Sequence, residues 1–188
     1  MSEQEPKRIG RRTVQSGTIL EFMEDTVRLP DGKVEHWDFV HHKKGGGACA
    51  VPVLPDGRIL MIRQFRPCID SEVLELPAGV RDASDPDTSV TAARELEEET
   101  GYRCGRIEKL LSIDTTVAWC DEKTDIYLAE DLVKTGEQTL DEAESIRLCP
   151  MTLKELLGGI REGRIRDAKT AAGVLAYAVR KGAHEYGT

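Results

Sequence analysis

Long hydrophobic runs are missing from this 188-residue chain. No apolar stretch approaches the roughly 20 residues that a membrane-spanning helix requires, so no membrane association is expected. The opening residues, Met1-Ser2-Glu3-Gln4-Glu5-Pro6-Lys7, carry no apolar core of the kind a secretory signal has. Cysteine is sparse and unpatterned. The five thiols, at positions 49, 68, 104, 120 and 149, are odd in number and never form a CxxC pair. That argues against a disulfide framework or a zinc site, and for free thiols in a reducing cytoplasm. No long basic block appears and the net charge is −8, which disfavours tight binding to a nucleic-acid backbone. A polyphosphate ligand would therefore need local cations, from bound Mg²⁺ and a few arginines. Aromatic residues amount to 5 %, with Trp37 and Trp119 the two tryptophans.

What the chain has in abundance is negative charge in one place. Arg94-Glu95-Leu96-Glu97-Glu98-Glu99-Thr100-Gly101 puts four carboxylates in five consecutive residues. At helical spacing Glu95 and Glu99 stand one turn apart on one face with Glu98 beside them, and each like-charged i,i+4 pair costs roughly 0.2–0.5 kcal/mol. The natural compensation is a hard divalent cation with oxygen ligands, Mg²⁺ first and Mn²⁺ second. A solvated charged face is the plainer alternative.

Along the chain, Thr18–Leu29 and Lys33–Val40 read as strands around the turn Pro30-Asp31-Gly32. The Lys43–Gly47 run then marks either a joint or a loop inside one continuous domain; the division adopted is a β section at 1–44 and a larger domain at 45–188. Cys49–Leu54 and Arg58–Phe65 suggest a second hairpin around Pro55-Asp56-Gly57. Val73–Leu76, Ile107–Ile113, Lys123–Ala129 and Ile146–Met151 read as further strands. A helix opens after Asp85-Pro86-Asp87 and closes at Gly101, with Val90, Ala93 and Leu96 expected toward the core and the glutamates away from it. Thr152-Leu153-Lys154-Glu155 is a capping box starting a helix through Ile160, and a last helix runs from about Ala168 to Arg180. The order predicts a mixed α/β (α+β) protein with helices packed on a mixed sheet.

Glu75-Leu76-Pro77-Ala78-Gly79 and the acidic helix belong together. Gly79 through Tyr102 resemble the signature of the Nudix hydrolases, closely from Arg94 to Gly101. The front half departs from it: fourteen residues separate Gly79 from Arg94 where the pattern has thirteen. Asp85 or Pro86 then occupies the slot of the usual middle glutamate. Met61-Ile62-Arg63-Gln64-Phe65-Arg66-Pro67 and Asp167-Ala168-Lys169-Thr170 are similar to the ADP-ribose pyrophosphatase branch, which hydrolyses nucleoside diphosphate sugars. The segment Thr115–Glu122 departs from that branch's usual loop. The resemblance implies a Nudix-type α/β/α sandwich with a mixed sheet, preceded by a small N-terminal β section exchanged between the subunits of a homodimer.

It also implies roles. Glu95 and Glu99 are the expected metal ligands, with Glu98 as a third or bridging ligand and catalytic carboxylate, and the Ala78 carbonyl as a further donor. The general base is expected from the late loop Leu140–Ser145, Glu144 first and Glu142 second; an acidic loop without catalytic work is the alternative. Arg63 and Arg66 are candidate phosphate contacts, because a forked guanidinium matches phosphate geometry. Arg66 is preferred, since strand alternation turns the two to different sides. Surface salt bridges compete with that reading. Arg94 is expected to point away from the metal stripe and pair with a carboxylate. Glu75 is a candidate for a ribose hydroxyl or a metal. Trp37 matches the aromatic that stacks on adenine in similar enzymes, against the alternative of a core tryptophan, and Trp119 is a candidate for the sugar side. His36, His41 and His42 are expected at the surface, and no cysteine has a base partner for nucleophilic catalysis. The expected reaction is Mg²⁺-dependent hydrolysis of ADP-ribose to AMP and ribose 5-phosphate. GDP-mannose and dinucleotide polyphosphates are alternative substrates, and a non-catalytic nucleotide sensor is the alternative of another class.

Overall fold

The computed structural model describes residues 5–140 and 145–186, and the chain divides into two compact units. The first comprises residues up to Gly46 together with Asp114–Lys123. Its core element is an antiparallel sheet of β1 (Lys7–Ser16), β2 (Leu20–Arg28) and β3 (Val34–His42), in that order. β1 was not legible as a strand because it is charged rather than alternating. Ion pairs across the ladder hold it: Arg11 forks onto Asp25 at 2.7 and 2.8 Å, and Arg12 onto Glu24 at 2.8 Å twice. The predicted turn is present, with Gly32 at φ 85° and the Lys33 amide donating to Asp31. The 114–123 segment joins this unit by backbone bonds between Val40 and Trp119 and between Asp121 and Val40.

The second unit, Gly47–Ile113 with Thr124 onward, carries the remaining elements. They are β4 (Gly46–Pro52), β5 (Ile59–Arg66), β6 (Ser71–Glu75), β7 (Ala78–Val80), α1 (Thr88–Thr100), β8 (Tyr102–Arg103), β9 (Arg106–Asp114), β10 (Lys123–Glu130), β11 (Val133–Lys134), β12 (Ile146–Met151), α2 (Leu153–Arg161) and α3 (Ala168–Tyr186). One sheet has the order β7-β4-β10-β9, a second β12-β5-β6, and β11 pairs with β8. The expected hairpin of β4 and β5 is therefore corrected. The Pro55–Gly57 turn exists, but it carries the chain from one sheet to another, with a single bridge between Val53 and Ile59. Both strands are almost wholly buried, so each is committed to a separate sheet rather than to its neighbour in sequence.

Alternation along β4 and β10 explains the layering. Ala48, Ala50, Tyr127 and Ala129 face α1 and pack with its Ala92 and Leu96. Cys49, Val51, Ile126 and Leu128 face the other way, into a cluster with Ile59 and Met61 of β5, Leu156 of α2 and Val174 of α3. The result is the expected α/β/α sandwich. α1 begins where Asp87 caps the amides of Ser89 and Val90, and ends at Gly101, whose φ of 72° suits a residue without a side chain. α2 starts with the predicted reciprocal Thr152–Glu155 box. No helix among the described residues is long and apolar enough to cross a membrane.

One correction bears on the site. Val90 is exposed, whereas Glu99 is only 3 % exposed on the face that carries Ala92 and Leu96. The helix therefore presents one of its acids inward. Leu96 is fully buried and fills the space between α1 and the sheet. Truncation by Leu96→Ala should cost about 2–5 kcal/mol in urea unfolding, and a loss below about 1 kcal/mol would contradict this packing.

Candidate active site

Three short pieces of chain build the site. β6 ends in Glu75, the Leu76-Pro77 step turns the chain, and β7 then presents Ala78 and Gly79 to α1. The Ala78 amide donates to a Glu99 carboxylate oxygen at 3.0 Å. Gly79 is where a side chain has no room: a Cβ there would lie 2.1 Å from the Glu95 carboxylate. Glu95 and Glu99, one turn apart, thus converge on two consecutive β7 residues, as the i,i+4 spacing predicts.

Arg94 does not point away from these acids, contrary to expectation. Its guanidinium lies 2.8 Å from both Glu95 and Glu98, 3.2 Å from Asp85 and 3.3 Å from the Val80 carbonyl. It is a counter-ion within the chain, so part of the crowding attributed to a missing cation is relieved internally. Asp85, only 6 % exposed, is the fixed end of this arrangement. It accepts from the Thr91 hydroxyl at 2.9 Å, the Asp82 amide at 3.2 Å and Arg94. Burial works to raise the Asp85 carboxyl, but these hydrogen bonds outweigh it and hold it below its ordinary value. Arg94, though partly desolvated, is held above its ordinary value by the same carboxylates.

Glu75 anchors the other side. At 2 % exposure it receives Arg66 through two bonds of 2.7 Å, and Lys169 of α3 also donates to it. Lys169 in turn lies 3.0 Å from Asp167, which accepts from the Thr170 amide at the start of α3. The Thr170 hydroxyl accepts from the Leu76 amide at 3.0 Å. Burial alone would raise the Glu75 carboxyl, yet Arg66 and Lys169 hold it below its ordinary value. Arg66 is raised by its bond to Glu75 and also feels the charge of Glu99, which puts the two halves of the site side by side. The Nε and Nη2 edge of Arg66, which a bidentate grip on a phosphate would use, is occupied by Glu75. Lys169 and Asp167 were missed as site residues. Asp167 is readable as a helix cap, but nothing local in the sequence links Lys169 to a residue 94 positions earlier.

Arg63 and Arg66 both line a cavity of about 1060 Å³ within the second unit, and strand alternation separates them as expected: Arg63 stands opposite Leu74 and Arg147, whereas Arg66 lies on the other face with the Glu75 it binds. Trp37 lies in the first unit, 52 % exposed, where it and the equally exposed Trp119 line a small pocket of about 230 Å³. A core role for Trp37 is excluded by that exposure. Arg11 lies over Phe39 in the same pocket, 4.3 Å from the ring centre. His42 is buried, contrary to expectation, its Nδ1 accepting from the Gly46 amide at 3.1 Å. His36 and His41 are paired with Glu24 and Asp121. Burial pushes the Cys49 thiol up to about 12, which removes it as a nucleophile. Glu142 and Glu144 lie outside the described residues.

Among the described residues no three His, Cys, Asp or Glu side chains form a ready metal cluster. The donor set still fits a hard cation: Glu95, Glu98, Glu99 and the Ala78 carbonyl are all oxygen, and Gly79 leaves open the place the Glu95 carboxylate takes.

The family model described as NUDIX domain matches residues 43–173. The chain belongs to the NUDIX family. Within it, the chain is 36 % identical over 171 residues to a methanol dehydrogenase activator of Bacillus methanolicus, covering 90 % of this chain and 91 % of that protein. It is 33 % identical over 172 residues to an ADP-ribose pyrophosphatase of Bacillus subtilis, covering 91 % of each. A crystal structure of an ADP compounds hydrolase superposes with a TM-score of 0.82 at 19 % identity, over all of this chain and 98 % of that one, which supports the NUDIX fold. The NUDIX chain is ADP-ribose pyrophosphatase-like, an enzyme of the pyrophosphohydrolase kind.

Two outcomes follow from the geometry. In Gly79→Ala only the end of a flexible glutamate must move, so melting should stay nearly unchanged while kcat/KM falls about a hundredfold through misplacement of Glu95; equal losses of stability and activity would contradict this. Glu75 titrates below its ordinary value when folded, so its stabilisation is present above the unfolded carboxylate range near 4.5 and is lost as pH falls through the folded value. Glu75→Ala should cost about 3–5 kcal/mol at neutral pH, and the penalty should shrink on acidification in pH-dependent unfolding. A penalty that grows toward acid pH would show the sign to be wrong.

Proposed function

We propose that this NUDIX enzyme uses Mg²⁺, or Mn²⁺ in its place, to hydrolyse the pyrophosphate bond of ADP-ribose, giving AMP and ribose 5-phosphate. The observation that carries the reading is the convergence of Glu95 and Glu99 on Ala78 and Gly79, beside Arg66 and the buried Glu75 it binds. Bound there, the cation would neutralise the diphosphate and lower the pKa of the attacking water. Glu95 and Glu99 would hold it, with Glu98 as a third carboxylate and the Ala78 carbonyl as a further donor. Glu75, with both carboxylate oxygens engaged by cations, acts in this reading as the holder of Arg66 rather than as a ribose or metal contact. Arg66 orients the diphosphate from the cavity wall.

In the reaction the water oxygen bonds to one phosphorus, the bridging oxygen leaves with the other, and a carboxylate takes the water proton. Glu144, or Glu142 after it, is the proposed base. Trp37 is the proposed stacking surface for the adenine, a contact worth about 1–3 kcal/mol. The 1–44 section is the proposed dimerisation element of a cytoplasmic homodimer. The exposure of Ile9, Val14, Ile19, Leu20, Phe22 and Val34 supports that role, since a sheet with so much apolar surface in water fits burial by a second copy. The retained carboxylates argue against a sensor that has lost its chemistry.

A panel of nucleoside diphosphate sugars and dinucleotide polyphosphates, followed by product analysis with Mg²⁺ present, tests the assignment. ADP-ribose should give the highest kcat/KM; a clear preference for GDP-mannose would replace it. Glu99→Gln should lower kcat by at least about a hundredfold while ligand binding is partly kept. Unchanged turnover in that variant would remove the metal role.

A further inference from the structure

The large cavity beside Glu75 contains more positive charge than the diphosphate contacts account for. Five cations line it: Arg63, Arg66, Arg164, Arg166 and Lys169. Arg66 and Lys169 are neutralised by Glu75 and Asp167, and Arg164 lies 2.6 Å from Glu162. Neither Arg63 nor Arg166 has an ion-pair partner among the described residues, while Asp70 is the one lining carboxylate likewise unengaged. Arg63 is also placed directly opposite Arg147 in the β5–β12 ladder, and like charges so placed are destabilising. Glu72 answers Arg147 at 2.6 Å and leaves Arg63 without an anion. Arg164 and Arg166 are presented firmly rather than on a loose loop. The buried Ile165 between them packs in the main core, and the amides of Arg164 and Ile165 both donate to the Gly159 carbonyl.

We infer that this cavity holds a phosphomonoester subsite, with Arg166 and Arg63 as its principal cations and Arg164 at its edge. It deepens the pyrophosphohydrolase reading and rests on it for the identity of the sugar arm, though not for the anion. Charge explains why the product is favoured. Cleavage of one P–O–P bond by water turns a bridged diphosphate, with one ionised oxygen per phosphorus, into two monoesters. Each carries about −1.5 to −2 at neutral pH, because the second phosphate pKa is near 6. Unpaired guanidiniums therefore bind the leaving sugar phosphate more tightly than the same arm of the intact substrate. The enzyme should accordingly be restrained by its own phosphomonoester product.

The test is calorimetric titration of the full-length protein, without added metal, with ribose 5-phosphate, inorganic phosphate and ribose. Ribose 5-phosphate should bind, and Arg166→Ala should weaken it roughly ten- to hundredfold, the range for loss of one charge-assisted hydrogen bond. Arg166→Lys should restore part of the affinity. Arg161→Ala, which removes an equal charge from a site outside the cavity, should leave it unchanged. Tighter binding of ribose 5-phosphate than of inorganic phosphate supports the subsite with the sugar product as its ligand; equal binding of the two supports it with free phosphate as the ligand. No binding of either, binding of ribose alone to the same extent, or equal loss in Arg161→Ala overturns it. A protein that binds phosphate through Arg166 but spares ADP-ribose keeps the subsite and rejects the proposed substrate. One that cleaves ADP-ribose with no such binding does the reverse.

Discussion

Glu75 is a carboxylate with almost no contact with water and two cations on it, and the geometry of the catalytic unit depends on how it is compensated. Leaving such a charge unpaired inside a protein costs several kcal/mol. Arg66 from the end of β5 and Lys169 from the first turn of α3 supply the compensation together. Three elements far apart in the chain are thereby tied at one point, and the Thr170 bond to the Leu76 amide reinforces the tie. The next residues, Pro77 to Gly79, are the ones against which the α1 carboxylates settle. A buried ion pair is weak evidence for net stability, but here it fixes register between a strand end, a helix start and the acidic helix.

The acidic helix solves its own charge problem in a second way. Arg94 sits among Glu95, Glu98 and Asp85, so the protein without metal need not hold three unanswered carboxylates. Asp85 arises from a loop one residue longer than the family pattern and has a side chain one methylene shorter than glutamate. The Asp85 carboxylate reaches Arg94 at 3.2 Å. A cation bound here would have to compete with Arg94 for Glu95 and Glu98.

Much of the fold was legible because its signals are local. Asp87 and Gly101 bound α1 correctly, the Thr152–Glu155 pair starts α2, and Lys123–Ala129 and Ile146–Met151 fall within or on β10 and β12. β1 was not legible, since Lys7–Ser16 is strung with charges whose partners lie in β2. The two-residue strands β8 and β11 offer no periodicity to detect. The inward turn of Glu99 was missed for a different reason: an acid on a helix is read as solvent-facing unless a buried amide is known to await it, and the Ala78 amide is 21 residues away.

The sequence by itself determined the spacing of the carboxylates on the acidic helix, the caps of the helices and the NUDIX family, because these rest on residues within a few turns of one another. Only the tertiary structure decided which sheet each of β4 and β5 joined, that Arg66 and Lys169 share Glu75, that Arg94 answers to Asp85, and that Arg63 and Arg166 face one cavity. Those outcomes depend on which buried faces meet and which charges must be compensated when water is excluded, and neither is a property of any short stretch of chain.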